Sequence, residues 1–380
     1  MRKIRIAYTI PNFDTAGSGI ALLKLVTRLD RQRFDPCIVC LHGRGALFQT
    51  VLSSGIPVHV NPYLTPQSPR LRFLKGVLRT SRFFRSLGAD IVFSYHYAPD
   101  LSEVLAAKLA GARFVYVKKN MGWKGPSYKQ WRIKTWLADA ITVQNQDMME
   151  LFFKGMRKAR IISIGVDRSE FKPTEPDLKL RDELVHGSND RIILCVANLV
   201  PKKGIRYLIE AFSRSAHKDS SFLVIVGKHD TELWEETRQL VIDAGVDGRV
   251  IFTGKRSDIN RFYSIADLFI LPSTGDEGAP IVIQEAMASG VPVLTTSVPG
   301  NRDQLEELPA QVVPPCDAGA LRKAMELILS LDEQGIDRIR GIQLDILERR
   351  YSLENEVLMH EHLYAEILNH VRNTHGHLSK

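Results

Sequence analysis

Glu277 and Glu285 stand eight positions apart in the run Thr274–Val293, with Gly275, Gly278, Pro280, Gly290 and Pro292 around them. Leu268–Pro272 upstream reads as a short buried strand and Gly275–Gly278 as a loop, and Pro280 takes the first position of a helix, where its missing amide costs nothing. Glu277 then lies in the loop and Glu285 within the helix, two turns further on. The amides of a helix start attract an anion, and carboxylates beside them suit hydroxyl groups. Amides for phosphate and carboxylates for hydroxyls together describe a site for a sugar nucleotide. Two solvated glutamates on an ordinary amphipathic helix are the plain alternative.

Taken together, Glu277, Gly278, Pro280, Glu285, Ala286, Gly290 and Pro292 resemble the signature of the retaining glycosyltransferases of family 4. The resemblance runs nearly end to end, with its most specific residues in the second half of the chain. It implies an α/β chain of GT-B architecture, two Rossmann-like doubly wound domains facing across a cleft, with the donor mainly on the second and the acceptor mainly on the first. The implied reaction moves a sugar, with retention and without metal, from a nucleoside-diphosphate sugar to a hydroxyl of a glycan, glycolipid or small molecule. UDP- and GDP-sugars are the foremost donors, and no cofactor is implied. The setting would be synthesis of cell-surface polysaccharide, glycolipid or another glycoconjugate. A sugar-nucleotide epimerase of similar architecture and a non-catalytic sugar- or nucleic-acid-binding protein are the rival readings.

The resemblance also distributes roles. Glu277 would accept hydrogen bonds from the donor sugar and Glu285 from the ribose. Lys203, with the amides at Ala279, Ile281 and Val282 flanking Pro280, would face the diphosphate, where negative charge grows as the bond to the sugar breaks. In the family an arginine stands five positions before that lysine; here the position holds Asn198, so one positive charge is lost. The base is expected near Lys255 and Arg256, after a strand. On the other domain, Gly17, Ser18 and Gly19 match a glycine-containing loop near the donor phosphate and acceptor, and any tight turn would use the same residues. Lys119, beside Asn120, stands where many relatives carry a histidine; a lysine there titrates near neutrality only if buried. His96 is a further acceptor-side candidate. Ile164 and Asp303 depart from an Asn and a Glu usual in the family.

Strands alternating with helical stretches position these residues. Ile4–Ile10, Phe34–Leu41, Val58–Val60, Ile91–Tyr95, Phe114–Val117, Ile141–Gln144 and Ile161–Ile164 read as strands of a first, parallel sheet, with a loop over residues 12–19 and a helix from Ile20. Arg191–Leu199, Phe222–Gly227 and Val250–Arg256 open a second sheet. The expected division is residues 1–172 for the acceptor-side domain, 173–189 for a linker, 190–350 for the donor domain and 351–380 for a helix crossing back to the first domain.

Composition is that of a globular chain, 44% hydrophobic and 25% charged. The net charge of +8 is unevenly spread: the first 170 residues carry 27 Lys and Arg against 11 Asp and Glu, so the excess lies there. Residues 70–87 hold six basic residues and no acid. Helical spacing gathers Arg72, Lys75, Arg79 and Arg82 in one stripe, with Leu74, Val77, Leu78, Phe84 and Leu87 largely opposite. An anionic membrane surface and plain solvent are equally fitting partners for that stripe. No nucleic-acid-binding motif accompanies the charge. No run approaches the roughly 20 apolar residues of a membrane span, and the short first apolar run reads as a core strand rather than a leader, so a cytoplasmic protein is expected, peripheral on the inner membrane face if the stripe docks. Cys37, Cys40, Cys195 and Cys316 are too few for a disulfide framework. The first two lie in a strand-like run and read as core thiols.

Overall fold

The structure is a computed structural model, and it describes residues 2–14, 16–45, 47–96, 98–122, 127–187 and 189–375. The chain divides into two compact units, residues 1–163 with 356–380, and residues 164–355. These breaks fall at Ser163 and Asn355, where the sequence reading set its own at 172, 189 and 350.

In the first unit, β1 (Ile4–Ile10), α1 (Ala16–Arg28), β2 (Phe34–Cys40), α2 (Phe48–Leu52), β3 (Val58–Val60), α3 (Arg70–Ser86), β4 (Ile91–Ser94), α4 (Ser102–Ala110), β5 (Arg113–Lys118), α5 (Tyr128–Leu137), β6 (Ala140–Val143), α6 (Gln146–Phe153) and β7 (Ala159–Ile161) alternate. All seven strands pair in parallel in the order β3-β2-β1-β4-β5-β6-β7. Because helices cover both faces, β1, β2, β4 and β5 are buried throughout most of their length and read as apolar runs.

The second unit contains α7 (Leu178–Val185), β8 (Arg191–Val196), α8 (Ile205–Ser213), β9 (Ser221–Val226), α9 (Trp234–Asp243), β10 (Val250–Gly254), α10 (Ile259–Tyr263), β11 (Leu268–Leu271), α11 (Ile281–Ala288), β12 (Val293–Thr296), β13 (Val312–Val313), α12 (Ala318–Leu329) and α13 (Glu333–Ile346). Its six strands are parallel in the order β10-β9-β8-β11-β12-β13. Inside the expected linker, α7 buries Leu180 and Val185 in this unit's core. The last helix, α14 (Leu353–His375), returns the chain to the first unit, where Tyr364 packs on Phe34 and Phe93 and its hydroxyl meets that of Tyr8 at 2.8 Å.

Three local expectations change. Gly17, Ser18 and Gly19 lie in the first turn of α1, not in a loop before it. Apolar periodicity begins only at Ile20, so it places the start late, whereas first-turn amides need no helical partner and glycines cost least there. Pro280 is the cap of α11, extended at ψ 113°, and the helix begins at Ile281. Third, α3 buries Gly76, Val77, Thr80, Ser81 and Phe84, while Leu74 and Leu78, expected opposite the basic stripe, are 57% and 49% exposed. With Leu71 they share the outer surface with the arginines. The small residues Gly76, Thr80 and Ser81 let α3 approach its neighbours closely, and helix–helix packing rather than hydrophobicity chose the inner face.

The first unit encloses a charge pair. Glu103 on α4 and Lys134 on α5 are fully buried, 3.9 Å apart. Glu103 also accepts from the hydroxyls of Thr9 and Ser94, the latter at 2.7 Å, and Lys134 donates to the Ala98 carbonyl at 3.3 Å. Burial raises the carboxyl and lowers the amine, and each charge opposes the other's shift. Removing one partner of such a pair strands the other without compensation. Glu103→Gln or Lys134→Met is therefore expected to cost about 3–5 kcal/mol of stability in urea unfolding. A loss below about 1 kcal/mol for both would show that the pair is not held as described.

Candidate donor site

In each sheet the chain order reverses once, between β1 and β4 and between β8 and β11. Carboxyl ends of strands at such a reversal leave a crevice, because the loops diverge to opposite faces. In the second unit those loops are residues 197–204 and 272–280.

The two loops are bolted together. The Lys202 carbonyl accepts from Thr274 N at 2.8 Å and Gly275 N at 3.2 Å, and the Thr274 hydroxyl donates to the Pro201 carbonyl at 3.2 Å. Gly204 makes this possible: its φ is +64°, and a Cβ there would lie 2.0 Å from the Pro272 carbonyl. Gly300 plays the same part for the following loop, since its Cβ would come within 2.4 Å of the Gly278 carbonyl. Behind them Gln304 Nε2 donates to the Gly300 carbonyl at 2.7 Å, and the Thr296 hydroxyl to that of Ser273 at 2.5 Å.

Glu277 sits at the junction with its side chain 8% exposed. Lys203 Nζ lies 2.7 Å from Oε1, Lys202 Nζ 3.3 Å from Oε2, and the Ser273 hydroxyl donates to Oε1 at 3.2 Å. A carboxylate so far from water is stable only because it is paired and hydrogen-bonded. Glu277 and Lys203, nominated 74 positions apart in the sequence, thus meet. Lys202, the second cation, escaped sequence reading: a lysine followed by another looks like a solvated surface. Its only signal was its place in the loop before α8.

Among the described residues no side chain caps α11, so the amides of its first turn, Ile281 and Val282 among them, are presented at the helix start. Ala279 and Gly278 precede the cap, half-buried in the loop. Glu285 lies inside α11 and its Oε2 accepts from the Tyr263 hydroxyl at 3.1 Å, which also reaches the Val282 carbonyl. Burial and the Glu285 charge both push the Tyr263 phenol up, so it remains a donor. Asn198 is exposed at the end of β8, where its Oδ1 accepts from Lys228 N at 3.0 Å. Lys255 and Arg256 are exposed just after β10; Arg256 forms a two-pronged pair with Asp258, at 2.9 and 2.7 Å. Among the described residues no group of three or more His, Cys, Asp or Glu is arranged to hold a metal ion.

The first unit carries the remaining candidates at the ends of β1, β4 and β5. Gly17 and Ser18 reach the surface of α1, while a Cβ on Gly19 would come 2.9 Å from the Phe13 ring. His96 is half-buried; burial first, then the Lys134 charge, lowers it to about 4, so its imidazole is neutral at pH 7. Lys118 is buried and donates to Asn120 Oδ1 at 2.9 Å and to the carbonyls of Asn120 and Gly122, wrapping that turn around its ammonium. Asn120 itself is exposed. Lys119 turns the other way, its Nζ 3.7 Å above the Tyr95 ring, and burial lowers it from 10.5 to about 7 against the opposing charge of Glu356.

Comparison with known proteins agrees with this architecture. The sequence profile described as "Glycosyl transferases group 1" matches residues 177–339, and that described as "Glycosyltransferase Family 4" matches residues 15–170. The chain is 27% identical over 79% of its length, and 81% of the relative's, to a UDP-Gal:alpha-D-GlcNAc-diphosphoundecaprenol alpha-1,3-galactosyltransferase of Escherichia coli. It is 32% identical to the amylovoran biosynthesis glycosyltransferase AmsK of Erwinia amylovora, over 52% of this chain and 48% of that one. Among solved structures it resembles a glycosyltransferase of Rickettsia africae, with TM-score 0.85 and 21% identity over 97% of this chain and 99% of that one. Anabaena Alr3699/HepE in complex with UDP and glucose follows at TM-score 0.79 and 20% identity, covering 96% and 100%.

Lys119 yields a sign-definite test. The unfolded chain keeps the lysine proton up to about pH 10.5, whereas the folded chain releases it near 7, so the cost of burial is greatest at and below pH 7 and fades as pH rises to 10.5. Lys119→Met should stabilise the protein most at pH 6.5 and progressively less by pH 9.5 in urea unfolding. A gain independent of pH would contradict the burial. The paired profile matches, the two sheets and the loops they position lead to one family: this chain is a glycosyltransferase of group 1, family 4, with the GT-B fold.

Proposed function

We propose that the protein transfers a sugar, with retention of configuration and without a metal ion, from a UDP- or GDP-sugar to an acceptor hydroxyl during synthesis of a polysaccharide or glycolipid. The observation that carries this is the Glu277–Lys203 clamp beside the uncapped start of α11. In transfer from a nucleoside diphosphate the bond to the β-phosphate breaks ahead of bond formation, and negative charge accumulates on the leaving diphosphate. Lys203 and the amides of Ile281 and Val282 supply fixed positive ends in a loop already locked by backbone hydrogen bonds, so little reorganisation accompanies the charge. Glu277, held by the two lysines, accepts from hydroxyls of the donor sugar; Glu285, oriented by Tyr263, accepts from the ribose. Lys255 and Arg256 border the base. The names of relatives support the donor class: one is a UDP-galactose enzyme, others are GDP-mannose-dependent, and the Anabaena protein was solved with UDP-glucose.

In the first unit, Gly17, Ser18, Gly19, His96, Lys119 and Asn120 are the acceptor-side residues of this reading. Helix α3 supports an accessory contact with an anionic membrane surface: Leu71, Leu74 and Leu78 are exposed among Arg70, Arg72, Lys75, Arg79 and Arg82. Helix α5 adds Ile133 and Trp136, the latter 77% exposed. Each basic residue near such a surface contributes about 1 kcal/mol, and the leucines insert at the headgroup level. No helix among the described residues is long and apolar enough to cross a membrane.

Two experiments test these readings. Glu277→Ala should lower turnover with a UDP- or GDP-sugar by roughly 100-fold with little change in donor affinity, and Glu285→Ala should chiefly weaken donor binding. Near-normal kinetics for both variants would sink the assignment. Sedimentation with vesicles should show binding to anionic but not to neutral lipid; equal binding, or none, would remove the membrane contact.

A further inference from the structure

We infer that Lys202 is a second diphosphate-binding cation, so that the donor loop holds its ligand with two adjacent lysines. This rests on the donor site proposed above. Glu277 is one carboxylate, and it is flanked by two ammonium groups, Lys203 at 2.7 Å and Lys202 at 3.3 Å. Lys203 and the Ser273 hydroxyl already serve Oε1, and one countercharge neutralises the carboxylate. By formal count Asp276, exposed in the same loop, offsets the second, but among the described residues no ion pair joins it to either lysine, so two ammonium groups converge on one buried carboxylate shortly before α11. Two ammonium groups converging in that position suit an anion carrying more than one negative charge.

The two lysines differ in a way that fits a division of labour. The Lys203 side chain is 17% exposed and packed; that of Lys202 is 53% exposed, with its ammonium at the solvent edge. The Lys202 backbone is nevertheless among the most firmly held parts of the loop, through the two hydrogen bonds its carbonyl accepts and through Gly275, on which a Cβ would come 2.9 Å from Lys202 Cβ. A fixed Cα and a mobile ammonium let Lys202 leave Glu277 Oε2 for a phosphate oxygen. That move also frees Oε2 to accept from a sugar hydroxyl. The residue at the end of β8, Asn198, is neutral and its Oδ1 is engaged with the Lys228 amide, so the charge on this loop comes from positions 202 and 203.

The test is calorimetric titration of the full chain with nucleotides alone. With whichever of UDP or GDP the wild type binds, Lys202→Gln should lower affinity about tenfold, while UMP or GMP binding changes by less than about twofold and Lys202→Arg retains nearly all diphosphate affinity. Unchanged diphosphate affinity in Lys202→Gln would overturn the inference, as would an equal fall for mono- and diphosphate, which reports a damaged pocket. If the wild type binds none of these nucleotides, the donor-site reading fails instead, and the inference with it.

Discussion

The buried carboxylate of Glu277 is the constraint on which the second unit depends. A charge held this far from water would cost several kcal/mol unless partnered, and its partners come from a different part of the chain, on the loop after β8. The reversal of strand order between β8 and β11 brings the two loops side by side, and backbone hydrogen bonds from Thr274 and Gly275 to Lys202 fix their register. Gly204 and Gly300 are then required because other backbone occupies the space a side chain would need. Site and fold are thus one structure: the contacts that join the two loops also hold Lys203 on Glu277, four residues before α11 begins.

The first unit solves a different electrostatic problem. It places lysines where water is scarce and gives each a separate environment. Lys134 faces Glu103, Lys118 is wrapped by carbonyls and an amide oxygen, and Lys119 lies over the Tyr95 ring. Consecutive residues at the end of β5 point to opposite faces, which is why Lys118 became a loop organiser and Lys119 a candidate for the site. Burial brings Lys119 to about 7, into the range a histidine would occupy, so a lysine at this position keeps the capacity to change charge near neutrality.

Much of this was readable in the sequence. The two parallel sheets were, because strands covered on both faces appear as uninterrupted apolar runs such as Ile192–Val196 and Leu268–Leu271. Glu277 and Glu285 were nominated by their spacing around glycine and proline and Lys203 by the family resemblance, and the structure joins the first and last of them. Helices α5 and α7 were less visible: Tyr128–Leu137 mixes basic and aromatic residues without a clean stripe, and Leu178–Val185 lies among charges after prolines. Lys202 and the Glu103–Lys134 pair were invisible for a more general reason. A charged residue in sequence looks solvated, and only the fold decides which charges are enclosed. The outward leucines of α3 show the converse, since helical periodicity located a basic stripe but assigned the buried face by hydrophobicity when close packing of small residues had chosen it.

The proposed donor site puts the diphosphate of a sugar nucleotide at the second unit's switch-point loops. The most direct measurement is a crystal structure of the chain with an intact UDP- or GDP-sugar. The expected result is β-phosphate oxygens within about 3.2 Å of Lys203 Nζ and of an amide in the first turn of α11, with Glu285 on the ribose. A diphosphate bound away from the loops after β8 and β11, with Glu277 still closed on Lys203 and touching no sugar hydroxyl, would contradict it.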